Sequence, residues 1–445
     1  MYDLHLVFTI ILFLTATCLY LASGRASVFH PGTYYLFFHG LVFVVRPTIK
    51  YLYDFKLVYS LYRFWPTEEI QNLALFAANI GLVTFMSGVM LFGGGKLRFP
   101  IATTINATHR LSLLIASALC FPLIAISTYG ALNRSTDFEQ TGMIRDFSTM
   151  TAINTNSVGY LVDANQMMGP VSVLIAWIFR FRPIALFPFA AFVLFRMYVG
   201  SGRWTFLMAA ASLALLYFYD TKRKWPTVGV IVTAGCLLVS FHLIGQSRSF
   251  LRDMISGQQS TQRSADTASG DAARNPLDNM DFANLEYLEY ILTIVPDRTG
   301  TYDYFLRNLQ IFTEPIPRAL WPGKPVGPPI QLYNIFQYGF PIGITWTLVG
   351  EGWQDLGLLG IVIWCALAAK LLGALYNWFV QSDQSIFKVA IFSILMPLSV
   401  QWFRDGIILT VFKFPLFFVF PIAVWYVIYS FMAQRLAQRQ RSQFS

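Results

Sequence analysis

Two arginines, Arg196 and Arg203, bracket the run Met197-Tyr198-Val199-Gly200-Ser201-Gly202. On a continuous helix they would stand two turns apart on nearly one face, roughly 10.5 Å along the axis. Two further cations, Arg318 and Lys324, sit in Pro315-Ile316-Pro317-Arg318-Ala319-Leu320-Trp321-Pro322-Gly323-Lys324-Pro325, and Arg404 follows Gln401-Trp402-Phe403. A planar guanidinium can make two parallel, charge-assisted bonds to phosphate oxygens. Several of them in a low-dielectric cavity would suit a diphosphate and the charge that develops as it leaves. A plainer use is open to each, as a side chain that snorkels to lipid headgroups. Arg318 is set apart by its prolines, which fix where a side chain points. Lys413 lies inside the last apolar run, where a lysine needs a partner or a cavity.

The acidic candidate is Glu351, in Gly350-Glu351-Gly352-Trp353-Gln354-Asp355-Leu356-Gly357. Glycines on both sides allow close backbone approach. A partly buried carboxylate there could accept a proton from a sugar hydroxyl. It could equally cap a helix start or pair with Arg318 or Arg404. Asp355 reads as a helix-start residue. Trp321, Trp353 and Trp402 could stack on sugar faces, or belong to an interfacial aromatic belt.

Other chemistries lack their motifs. The histidines, His5, His30, His39, His109 and His242, include no pair at i, i+4 spacing, and there is no Gly-x-Ser-x-Gly elbow, Walker loop or Asp-x-Asp. The cysteines, Cys18, Cys120, Cys236 and Cys365, form no Cys-x-x-Cys pair and fall inside apolar runs. No metal site and no cofactor are expected.

These residues need a membrane to position them. Of the 445 residues, 56% are hydrophobic and only 12% charged, with mean hydropathy +0.53. A soluble domain carries about 25% charged residues. Apolar runs near the roughly 20 residues that cross hydrocarbon predict helices, since lipid-facing backbone must bond internally. The reading is an all-α polytopic membrane protein with about eleven spans, ten to twelve by count. They centre on Leu4–Leu21, Val28–Val45, Leu73–Phe92, Leu111–Ala131, Gly169–Ile178, Pro183–Tyr198, Thr205–Tyr219, Val228–Ile244, Leu358–Leu375, Phe387–Gln401 and Ile407–Tyr429. The net charge of +9 comes from basic residues beside these runs, without the aromatic interleaving of a nucleic-acid groove, so membrane lipid is the expected partner and nucleic acid is not.

The basic tail at 431–445 should be cytoplasmic. Alternation then puts 221–224, 179–182, Lys96 and Arg98 on the same inner side. The segment from Arg46 to Glu69 disagrees, because it carries Arg46, Lys50, Lys56 and Arg63 yet falls outside. An interfacial helix or a miscount would each explain it. The chain divides into spans one to eight (1–245), a large outer loop (246–348), spans nine to eleven (349–430) and the tail. Within the loop, 246–279 is polar enough to stay mobile. The part from 280 to 348 should be ordered, with an amphipathic helix ending near Pro296 and a second, aromatic-rich helix over Tyr302–Phe312.

The stretch Pro317–Pro325, followed by Gly350-Glu351-Gly352-Trp353 and Gly357, resembles the Wzy-type oligosaccharide repeat-unit polymerases of bacterial O-antigen and exopolysaccharide synthesis. The large late loop, the arginine after Gly200-Ser201-Gly202 and the arginine near the penultimate span belong to the same resemblance. It covers the last half of the chain; position 323 is glycine where a polar or acidic residue is expected. The resemblance implies a GT-C-like helical fold in the bacterial inner membrane with its site facing the periplasm. It implies transfer of a growing glycan from undecaprenyl diphosphate to the non-reducing end of a new lipid-linked unit, without a metal. Arg203, Arg318 and Arg404 would contact the diphosphate, with Lys324 and Arg196 nearby, and Glu351 would serve the acceptor hydroxyl or orient an arginine. A chain-length regulator and a flippase are the partners implied.

Three rivals stay open, one of them a purely structural partner of a synthesis complex, which would not need a rigid cationic loop facing a cavity. An O-antigen ligase would pass the same donor to lipid A core. A transporter or flippase would show repeated halves meeting at the midplane, and no repeat is visible.

Overall fold

The computed structural model describes residues 1–99, 104–132, 143–146, 151–154, 159–199, 203–232, 235, 283–317, 320–325, 327–339, 345–381 and 383–443, of which 61–62, 143–146, 151–154, 159–162, 199, 203 and 336 by backbone alone. The expected mobile stretch 246–279, Arg318 and Cys236 lie outside these residues. The protein is a helical, multi-pass membrane protein. Among the described residues six helices are long and apolar enough to cross a bilayer. They are α1 (Tyr2–Ala22), α5 (Glu68–Phe92), α6 (Ala107–Leu132), α12 (Thr347–Gln381), α13 (Ile386–Asp405) and α14 (Ile408–Gln443).

Shorter helices fill the gaps between them. Pro31–His39 (α2) runs through a π-helical turn, Gly40–Val45, into Arg46–Tyr53 (α3), and Leu57–Tyr62 forms α4. Met168–Ile178 (α7), Pro183–Val199 (α8) and Arg203–Asp220 (α9) follow, then Asn284–Ile294 (α10) and the single turn Gln310–Thr313 (α11). Of the expected eighth span, 228–232 and 235 are described, in helix. One feature departs from the all-α expectation. Met143–Asp146 pairs antiparallel with Thr151–Asn154, where β-branched Ile144, Thr151 and Ile153 suit extended backbone.

Small residues let α5 and α12 approach closely, as in other membrane helix pairs. A Cβ on Gly88 would lie 2.8 Å from Ala369, and one on Gly81 2.8 Å from Val349. The basic loops gather at one end of the bundle. There Val28 N donates to the Lys224 carbonyl at 3.0 Å, Gln384 reaches the Arg98 carbonyl at 3.0 Å, and Arg180 pairs with Asp220 at 2.9 Å.

The disputed segment 46–69 sits at the opposite end, with the large loop. Arg46 bonds Glu286 at 2.6 Å and Lys50 bonds Glu289 at 2.8 Å, and all four side chains are buried. These cations therefore face carboxylates of α10 rather than lipid headgroups. For these two that eases the conflict with the charge rule, which concerns cations left in short loops, whereas Lys56 and Arg63 stay exposed. The amphipathic helix expected here is α10, and it is buried on both faces. Its polar face, Glu286 and Glu289, is as buried as its apolar face, Leu288 and Ile291.

Candidate functional site

The Gly350–Gly357 motif does not open a continuous span. Within α12 the backbone leaves helical geometry at Leu356 (φ −154°, ψ 30°) and Gly357 (φ 60°, ψ −139°). Gly357 adopts a conformation that L side chains resist. The short limb 347–355 then folds against the long limb, 358–381. A Cβ on Gly352 would stand 2.6 Å from the Ile361 backbone, and one on Gly360 1.9 Å from the Gly352 carbonyl oxygen. In a straight helix residues eight apart would be about 12 Å apart along the axis. Glu351 thus stands on a separate limb before the span, not at the span's entrance.

The loop 302–307 is laid onto this limb. Asp303 N donates to the Gln354 carbonyl at 2.9 Å and Tyr304 N to the Asp355 carbonyl at 3.1 Å, capping a helix end that the break leaves open. The second loop helix expected over Tyr302–Phe312 is instead a turn, a 3-10 segment (Leu306–Leu309) and the short α11. Using its backbone to bind the 347–355 limb prevents 302–305 from closing helical bonds of its own.

This arrangement aims Arg307 at Glu351. Arg307 Nη1 lies 3.3 Å from Glu351 Oε2 and 3.5 Å from Gln354 Oε1, and its guanidinium stands 3.6 Å over the Trp346 ring. Trp346 Nε1 donates to Gln354 Oε1 at 2.5 Å, closing a ring of three side chains, Arg307, Gln354 and Trp346, with Glu351 attached through Arg307. Asp303 accepts from the Arg307 amide at 2.8 Å. Burial raises the Asp303 carboxyl above its ordinary range, against the opposing pull of the Arg307 amide and guanidinium. Glu351 is fully buried, and its Oε1 has no hydrogen-bond partner among the described residues. Asp355 ends the short limb and accepts from Trp364 Nε1 at 2.6 Å, so it does not cap a helix start as expected.

The Gln401–Gly406 motif closes on the same limb. Gly406 (φ +74°) is so near that a Cβ would meet the Thr347 carbonyl oxygen at 2.3 Å and the Glu351 Cβ at 3.0 Å. Arg404 therefore stands beside this site, with Nη1 3.4 Å from Asp405 and its guanidinium 4.8 Å over Trp204.

The remaining candidates are placed differently. Arg196 is buried, donating to Asn165 at 3.0 Å and lying over Phe192 and Phe195. Lys413 has the partner a deep lysine needs, Asp163 at 2.7 Å. Lys324 donates to the Glu314 and Ile316 carbonyls at 3.0 and 3.1 Å, tying the proline segment to itself. Trp353 and Trp402 are buried in the core and offer no open face for a sugar; Trp353 Nε1 is spent on the Val295 carbonyl at 2.8 Å. Trp321 is exposed. Arg203 begins α9 and is described by its backbone alone. Among the described residues the partner of Glu351 is Arg307 rather than Arg404, and the expected pairing with Arg318 lies outside them. The sequence offered one signal for it, since Arg307 is the sole basic residue from 299 to 317, four residues after Asp303 among aromatics.

No family model matches the chain, and no curated protein or solved structure matches it either.

Proposed function

We propose that the protein is a glycosyltransferase that polymerises oligosaccharide repeat units carried on undecaprenyl diphosphate. The observation that carries this reading is the state of Glu351. One carboxylate oxygen is held by Arg307 and the other has no partner among the described residues, in a buried position beside the Arg404 turn. A carboxylate so held is positioned to take a proton, while a nearby cation suits a departing diphosphate.

In the proposed step the acceptor hydroxyl of a new lipid-linked unit attacks the anomeric carbon of the growing chain. The bond from that carbon to the diphosphate oxygen breaks and undecaprenyl diphosphate leaves. The hydroxyl proton passes to Glu351, and no metal takes part. Arg307 orients Glu351. Arg404 and Arg318, with Arg203, Arg196 and Lys324, would neutralise the diphosphate. The finer architecture belongs to the same proposal, with about eleven spans, a GT-C-like arrangement and a bacterial inner membrane with the Glu351 end toward the periplasm. A chain-length regulator and a flippase would be its partners. The ligase reading uses the same site with a lipid A core acceptor.

The test is reconstitution in proteoliposomes with a defined lipid-linked repeat unit. A ladder of products, unchanged by chelator, is expected from the polymerase. Product only when lipid A core is added selects the ligase, and passage of the unit across the bilayer without any new glycosidic bond selects a transporter. Arg318→Ala should abolish polymer at normal membrane abundance, and Arg318→Lys should rescue poorly, because an ammonium cannot reproduce paired bonding. Full-length polymer from the alanine variant removes Arg318 from the site.

A further inference from the structure

A second concavity lies at the same end of the bundle, across α10 from Glu351. On a helix advancing 100° per residue, Glu286 and Glu289 fall opposite Leu288 and Ile291. The apolar pair reaches Gly350 of the short limb, and the acidic pair reaches Arg46 and Lys50. Beyond Lys50 opens a cavity of about 750 Å³ between α1, α3, α4 and the start of α5. Ligand sites span about 300–1,000 Å³.

Its lining has a distinctive chemistry. Two aromatic pairs stand in it, Tyr2 with Tyr51 (ring centroids 6.1 Å apart) and Tyr59 with Trp65 (5.5 Å). Tyr59 is locked from behind, its hydroxyl accepting from Lys50 at 2.7 Å and donating to the Glu289 carboxylate. Asp3, Asp54, Glu68 and Gln71 line it as well. Cations line it too, and among the described residues each is paired: Lys56 with Asp54, the Met1 ammonium with Glu68 at 2.6 Å and Lys50 with Glu289 at 2.8 Å. Rings with carboxylates and an amide beside them match a sugar, whose C–H face covers an aromatic ring while its hydroxyls donate to oxygens.

We infer that this cavity binds a stretch of glycan, independently of the Glu351 site. On the polymerase reading it would hold the growing chain next to the site that extends it. That role rests on the reading, whereas the binding does not.

The test uses the full chain in lipid nanodiscs, overlaid on an array of lipid-free oligosaccharides from bacterial surface polysaccharides. Wild type should bind at least one linear glycan class. Trp65→Ala should weaken that binding about tenfold, and Trp65→Phe should largely retain it. Trp65 and Tyr51 are both more than half exposed, so Tyr51→Ala carries the same comparison if the Trp65 variants melt early. No array binding by wild type, or equal binding by Trp65→Ala and Tyr51→Ala, overturns the inference. So does a phospholipid that copurifies with wild type by native mass spectrometry and is lost in Trp65→Ala. Array binding without a product ladder overturns the polymerase reading alone, and a ladder without array binding overturns the cavity alone.

Discussion

Arg307 and Glu351 form an ion pair at 3.3 Å across 44 residues of sequence, roofed by the Trp346 ring. The pair joins the loop before the proline segment to the limb before the ninth expected span. Each partner is the other's counter-charge in a place that water barely reaches, with Glu351 fully buried and the Arg307 side chain 13% exposed.

Removing one member of such a pair leaves a buried charge and costs about 3–5 kcal/mol. Arg307→Ala should lower thermal stability in detergent, and adding Glu351→Gln should recover most of the loss. Glu351→Gln alone should keep the fold and lower turnover by about 10²-fold or more, the usual contribution of a general base. Near-normal turnover from Glu351→Gln rejects the base role and leaves the pair a structural strut.

The second paired cluster makes a separate forecast. Lys50→Ala strips the counter-charge from Glu289, which is fully buried and whose carboxyl burial already pushes upward. The expected cost is again about 3–5 kcal/mol, and Lys50→Met with Glu289→Leu should restore much of it. Limited proteolysis of the segment around α10 reads the outcome. A Lys50→Ala protein as resistant as wild type would show that the ion pair does not hold α10 in place.

Two glycines set the fold-back. Gly360→Ala drives a methyl into the Gly352 carbonyl oxygen, and Gly352→Ala into the Ile361 backbone. Overpacking costs about 1–3 kcal/mol and more where backbone is struck. Both variants should lose the product ladder along with stability, whereas Gly323→Ala, with open space around it, should lose neither. An active Gly360→Ala enzyme contradicts the hairpin of α12.

Asp303 gives a pH signature. Its carboxyl is raised in the fold, chiefly by burial, so the folded state holds the proton more tightly than the unfolded chain. Below about pH 4, near the ordinary aspartate value, both states are protonated and no penalty exists. As pH rises, the unfolded chain ionises first and stability falls until the folded carboxyl also ionises. Asp303→Asn, whose amide oxygen can still accept from the Arg307 amide, should therefore gain on wild type with rising pH. Melting curves at pH 4 and pH 8 that show the opposite trend discard this account.

Much of the scaffold was legible in the chain because lipid imposes a simple rule. Apolar runs such as 73–92, 111–131 and 387–401 had to be helices, and α5, α6 and α13 are. The helix at 284–294 was legible too, from Leu285, Leu288, Ile291 and Leu292. What its polar face meets was not legible, because a carboxylate facing water and one facing a buried cation look alike in sequence. Likewise the sequence left Trp353 and Trp402 between sugar stacking and an interfacial belt, and packing buries both.

By itself the sequence determined a multi-pass helical protein, where its basic loops gather, and that Glu351 sits where glycines permit close backbone approach. Those follow from local composition and the solvent each segment must meet. The tertiary structure alone decided that Arg307 is Glu351's partner, that Arg46 and Lys50 belong to Glu286 and Glu289, and that α12 doubles back at Gly357. The physical reason is that a buried charge is stabilised by whichever opposite charge the fold brings within bonding distance, and contacts across tens or hundreds of residues leave no periodic mark on the chain.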